Sequence, residues 1–171
     1  MNFQFYKEKL ESSKEFENFK KEHQDAFLSS GFFVLDFENL KNPDDKSHLD
    51  FYIPSENKIF SFELEKEIQL VPVKMFENSP VPEKLIGSSV LDFDEIEKMI
   101  RNEMAKKDIK NKIQKIIMVI QNKNGKDFWI CTVFISGLGL LKVNIDDLEK
   151  RIILFEKKSF VDMMNVFKKK K

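Results

Sequence analysis

Only two histidines, His23 and His48, are present in the 171-residue chain, and neither has a companion at metal-ligand spacing. A hydrolytic dyad needs a base beside a nucleophile, and histidine is the usual base. His23 falls in the helical stripe Phe16, Phe19, Phe27, where a partly buried helix histidine is the simpler reading, and His48 falls at a loop-to-strand junction. Carboxylates cluster at Asp44-Asp45, Asp146-Asp147 and Asp92-Asp94-Glu95. Paired acids could do acid-base work or hold a hard cation. The first two pairs, however, sit in turn-like sequence where Asp is favoured for backbone reasons, and the third fits helix capping. No calcium loop with its central glycine is present. Gly137 and Gly139 fall in a hairpin rather than in a phosphate-binding loop. The lone Cys131 lies in an apolar run and reads as a small buried hydrophobe. The sequence therefore predicts no catalytic residue, no cofactor and no metal site.

Surfaces are the remaining candidates. Lys106, Lys107, Lys110, Lys112 and Lys115 concentrate positive charge where a helix should end. Cations there suit the helix dipole, and they could also meet an anionic partner such as nucleic acid, together with the tail Lys168 to Lys171. An amphipathic end on an anionic membrane is a further reading of Phe160 to Lys171. The run Asp127 to Ile135 points to protein contact instead. One alternating set is Trp129, Cys131, Val133 and Ile135, and the other is Phe128, Ile130, Thr132 and Phe134, so both faces of the strand are apolar. An antiparallel sheet that meets water on one side should alternate with polar residues, so the second face needs a cover. The cover expected first is the other half of the chain, then a second chain, then an unknown protein. Phe128 and Trp129 are the candidate contact residues on this surface.

The elements that position these residues come in two similar series. An amphipathic helix is predicted from Phe5 to Leu28, stopped by Ser29-Ser30-Gly31. Strands follow at Phe32 to Phe37, Leu49 to Ile53, Ile59 to Leu64 and Ile68 to Val73, with a turn at Asn42-Pro43-Asp44-Asp45. Met75 to Val90 holds Pro80, Pro82 and Gly87 and reads as a connector. Asp92 and Glu95 then have capping-box spacing before the stripe Phe93, Ile96, Met99, Ile100, Met104. Four more strands are expected at Lys115 to Gln121, Asp127 to Ile135, Leu138 to Ile145 and Ile152 to Phe155, with Asn124-Gly125 in the first hairpin turn. A short helix with Phe160, Met163, Met164 and Phe167 ends in the lysine tail. The predicted fold is α+β, with two tandem helix-plus-antiparallel-sheet units: residues 1–74, a connector over 75–90, residues 91–157, and a C-terminal helix and tail over 158–171.

The second unit resembles the PepSY-like family and its cystatin-like relatives. The likeness rests on the helix opened by Asp92, the aromatic-led strand Phe128-Trp129-Ile130, and Leu140-Leu141-Lys142-Val143-Asn144-Ile145-Asp146, which looks like the family's strand ending in an acidic turn. In place of the family's common threonine-glycine turn, this chain has Asp147-Leu148-Glu149-Lys150. The likeness covers about residues 91–156 closely and 5–74 loosely. It implies a non-catalytic module that binds or restrains protein partners, and it brings no catalytic residues.

The totals agree with an ordinary folded protein, 42% hydrophobic and 34% charged with a net charge of zero. That zero conceals an asymmetry: residues 1–85 carry 11 Lys/Arg against 17 Asp/Glu, and residues 86–171 carry 18 against 12. With one cysteine, no basic start followed by an apolar run, and no long uncharged apolar window, the expected location is cytoplasmic.

Overall fold

Ser13 breaks the N-terminal amphipathic segment in two. The structure, a computed structural model that describes residues 2–39, 41–87 and 89–159 with Val161 and Met164, has α1 (Phe3–Glu11) and α2 (Lys14–Glu22) in place of one long helix. The Ser13 hydroxyl donates to the Leu10 carbonyl at 2.6 Å and accepts from the Phe16 amide at 3.1 Å. It thus satisfies an orphan carbonyl of one helix and an orphan amide of the next. α2 stops at His23, so Ser29-Ser30-Gly31 is not a helix stop but lies inside the first strand, β1 (Phe27–Asp36). Gly31 is needed there for space. A Cβ at that position would come within 3.0 Å of the Phe3 and Phe33 rings and 3.1 Å of Ile120.

β2 (Lys46–Ile53), β3 (Lys58–Glu63) and β4 (Gln69–Val73) continue by hairpins, and the connector carries no helix or strand among its described residues before α3 (Phe93–Lys106). The Asp92 amide donates to the Glu95 carboxylate at 2.9 Å, closing the start of α3 as the spacing predicts. β5 (Ile113–Lys123), β6 (Lys126–Ile135), β7 (Gly139–Asp146) and β8 (Arg151–Ser159) complete the chain of elements. Asn124 and Gly125 both adopt positive φ, 53° and 75°, as the two-residue hairpin turn between β5 and β6 requires. The predicted C-terminal helix and lysine tail lie outside the described residues, apart from Val161 and Met164.

All eight strands form one antiparallel sheet in the order β4-β3-β2-β1-β5-β6-β7-β8. The two four-strand series meet where β1 pairs with β5, from Ser30 opposite Gln121 to Asp36 opposite Lys115. The expectation that the first half covers the apolar face of the second is therefore corrected: the halves join edge to edge. Each half had a strand with a free edge, and main-chain pairing of those edges satisfies the backbone groups that stacking would have left open. The three helices bury Phe3, Leu10, Phe19, Phe93, Ile96, Ile100 and Met104 in a single core cluster against one face of that sheet.

Replacing Gly31 with Ala forces aromatic rings apart in a closely packed core. Urea unfolding of Gly31→Ala should show a loss of about 1–3 kcal/mol, the usual cost of overpacking.

Candidate functional site

Strand alternation sorts the sheet into a covered face and an open one. On the covered face lie Phe33, Leu49, Phe51 and Phe62 from the first half and Ile116, Met118, Ile120, Trp129, Cys131 and Val133 from the second, all in the core cluster with the helices. On the other face lie Phe32, Val34, Ile117, Val119, Phe128, Ile130 and Phe134, none of which belongs to that cluster or packs against it. The pair Phe32 with Val119 crosses the seam between the halves, and the pairs Val119 with Ile130 and Gln121 with Phe128 carry the face on to β6. Val34 is buried and the other six are half-buried. The buried residues of α1, α2 and α3 pack on the covered face, not on this one.

Trp129, expected at a contact surface, is fully buried on the covered face, within ring contact of Phe3, Phe33 and Phe93. It offers nothing to a partner. Its indole N–H donates to Asp147 at 2.9 Å and to the Ser89 hydroxyl at 3.1 Å. Asp147 also accepts from the Ser89 hydroxyl and from the Val90 amide, so the acid ties the connector to the sheet. Asp146 accepts from the Glu149 amide, and Asp127 from the Ile86 amide and the Asn122 amide group. These carboxylates serve turns and anchors, and among the described residues no three His, Cys, Asp or Glu side chains are grouped to hold a metal ion. The Trp129–Asp147 pair escaped the sequence reading. A buried indole N–H needs an acceptor, and that requirement was the available signal. Phe128, by contrast, stands half-buried on the open face.

The lysines do not form one patch. Lys106 and Lys107 lie 3.4 and 3.6 Å from the Glu103 carboxylate, with Lys107 also over the Phe155 ring. Lys110 faces Asp108 at 3.3 Å, and Lys115, near the start of β5, lies 3.7 Å from Asp44. Lys112 is exposed in the segment between α3 and β5. Both histidines are held by glutamates. His23 Nδ1 is 2.8 Å from Glu56 with its ring stacked on Phe60, and His48 Nε2 is 2.9 Å from Glu65 beside Phe32. Burial opposes ionisation of Glu65, but the Ser47 amide and the His48 ring overcome it and hold the carboxyl below its ordinary value. Burial alone pushes the Cys131 thiol up to about 12, which makes it inert as a nucleophile at neutral pH.

A cleft of about 720 Å³ opens between α1 and the first turn of α3, walled by Phe5, Tyr6, Phe33 and Phe93. Lys9, Lys46 and Lys66 rim it together with Asp44, Asp45, Glu65 and Asp94, so charge selects neither an anion nor a cation there. Burial raises the Tyr6 pKa, with the charges of Asp45 and Glu65 adding to it and a hydrogen bond with Ser47 opposing. The Lys9 ammonium is committed to the Leu64 carbonyl at 2.6 Å.

No family model matches the chain, and no curated protein does. Among solved structures the chain is similar to the crystal structure of a "putative lipoprotein" from Clostridium difficile 630, with a TM-score of 0.51 and 12% identity over 83% of this chain and 89% of that one. At that identity the likeness is one of fold alone. No helix among the described residues is long and apolar enough to cross a membrane.

Two substitutions test the anchors. Trp129→Phe keeps the ring but removes the donor to Asp147, and urea unfolding should show a loss of about 1–3 kcal/mol. Glu65→Gln should lower the unfolding midpoint at neutral pH. A carboxyl with a depressed folded pKa stabilises above its unfolded pKa and loses that contribution as pH falls through the folded value. The gap between wild type and variant should therefore close as pH falls toward about 3.

Proposed function

We propose that this chain is a non-enzymatic interaction module of PepSY-like type, built from two tandem units, which holds a protein partner against the open face of its sheet. The face itself carries the reading. Half-buried Phe32, Ile117, Val119, Phe128, Ile130 and Phe134 form one contiguous apolar area across both halves, where a water-facing antiparallel sheet would have polar residues. The strand order supports the tandem units, because it reads outward from the β1–β5 seam in the same way on both sides. Helix precedes four strands in each half, and β2 and β3 occupy the places that β6 and β7 occupy across the seam.

The non-catalytic reading is supported by what the reactive side chains already do: both histidines are engaged by glutamates and the buried Cys131 thiol stays protonated. The rival reading, a binder of nucleic acid or another polyanion, is weaker because Lys106, Lys107, Lys110 and Lys115 each have an acid within 4 Å. A buried free cysteine suits a reducing compartment, and a cytoplasmic location belongs to the proposal on that ground.

Paired substitutions test the face. Ile130→Thr on the open side should cost less than about 1 kcal/mol, whereas Val133→Thr on the covered side should cost about 1–3 kcal/mol for burying a hydroxyl. Both are read by urea unfolding at protein concentrations low enough that the midpoint no longer depends on them. Equal costs would mean that the open face belongs to the protein's own core and would end the interaction reading.

A further inference from the structure

We infer that the partner on the open face is a second copy of this chain, packed sheet on sheet about a two-fold axis that runs along the strands at the β1–β5 seam. The inference rests on the interaction reading and names its partner. Asp50 and Glu63 lie on the open side of β2 and β3, against one cation, Lys46, while Asp36 and Lys115 face each other across the seam and balance there. On the open side of the other half Lys126 and Lys158 lie 3.9 and 3.7 Å from Asp146 and Glu156, which leaves Lys142 and Arg151 as the surplus positive charge of that flank. The apolar centre thus separates an acidic flank from a basic one on a single face, in line with the net charges of −6 and +6 in the two halves of the sequence.

A two-fold along the strands places β1–β4 of one copy on β5–β8 of the other. Acidic flank then meets basic flank twice, as isologous contact requires. A two-fold across the strands would set like flank on like flank and is disfavoured. The Phe128 and Ile130 row of β6 then lies on the Phe32 side of the partner sheet, and Lys142 on β7 lies over β3 near Glu63. Eight strands spaced ~4.8 Å and about six residues long give a face of roughly 35 by 20 Å, or about 700 Å² per copy. A standard stable interface takes about 800 Å² per partner, so a second sheet of the same size is a sufficient cover. Two twisted sheets pack face to face with strand directions about 30° apart, which this axis allows.

Light-scattering mass of the full chain across a roughly hundredfold concentration range tests the inference. The expected result is twice the 20.3 kDa chain mass, falling toward one chain on dilution and sooner at high salt. Lys142→Glu should weaken dimerisation about tenfold or more, and the double variant Lys142→Glu with Glu63→Lys should restore it. Lys142 is exposed and Glu63 half-buried, and urea unfolding of each variant confirms that the fold is kept. A dimer indifferent to these charges and to Ile130→Thr would overturn the inference, because its interface would lie elsewhere. A monomer at every concentration would also overturn it. In that case a small stability cost for Ile130→Thr leaves the face open to a different protein, and a cost equal to that of Val133→Thr ends the interaction reading as well.

Discussion

The pairing of β1 with β5 is the constraint on which the rest of the structure depends. It is the one ladder that joins strands distant in sequence, and it turns two four-strand meanders into a single sheet. Once the seam forms, the helices of both halves lie on the same side, because each is tied by a short connection to a strand whose apolar residues face that side. α1 illustrates the coupling: Phe3 touches Phe33 in the first half and Trp129 in the second, and Asn2 bridges to Asp92 at the start of α3. The seam also dictates Gly31, since three bulky groups converge where its side chain would be. With α1, α2 and α3 all on one side of a single sheet, none of the three covers the other side. The open apolar face is thus a consequence of the edge-to-edge joint.

The aromatic cluster over the seam shows how local chemistry secures that joint. Phe3, Phe33, Phe93 and Trp129 meet mostly edge to face, the arrangement that adds to simple area burial. Trp129 can be fully buried there only because Asp147 and Ser89 accept its N–H. Asp147 stays buried because it also receives the Ser89 hydroxyl and the Val90 amide. The connector is therefore anchored by a hydrogen-bond network without needing helix or strand of its own. The same acids that could suggest a hard-cation site from sequence are consumed in holding the polypeptide in place.

Much of the α+β, antiparallel organisation was legible because hairpins are local: turn residues such as Asn124-Gly125 and alternation in β6 and β7 are readable within a dozen residues. Boundaries failed where one residue served two purposes. Ser13 ends one helix and starts another within an unbroken amphipathic period, and Ser29-Ser30-Gly31 looks like a helix stop although packing demands the glycine in a strand. The seam was illegible for a deeper reason, since nothing near β1 specifies whether its free edge or its apolar face will meet the second half. The side of Trp129 was equally undetermined, because both alternating sets of β6 are apolar and periodicity cannot choose between them. Only the need of its N–H for an acceptor, answered by Asp147, distinguishes the inward set.

The sheet's two outer edges bear on how the open face is used. β4 has five residues, and Pro72 within it lacks an N–H, so it is a poor template for another strand. β8 is longer, but Arg151, Glu156, Lys157 and Lys158 mark it with charge. With both edges blunted, lateral growth into a continuous sheet is opposed, and the half-buried apolar area can be covered further only across the face. Relief across a face closes on itself, because a second layer covers the first and is covered in turn. Protected edges with one open face therefore favour a finite two-layer assembly over a fibre, whatever protein supplies the second layer.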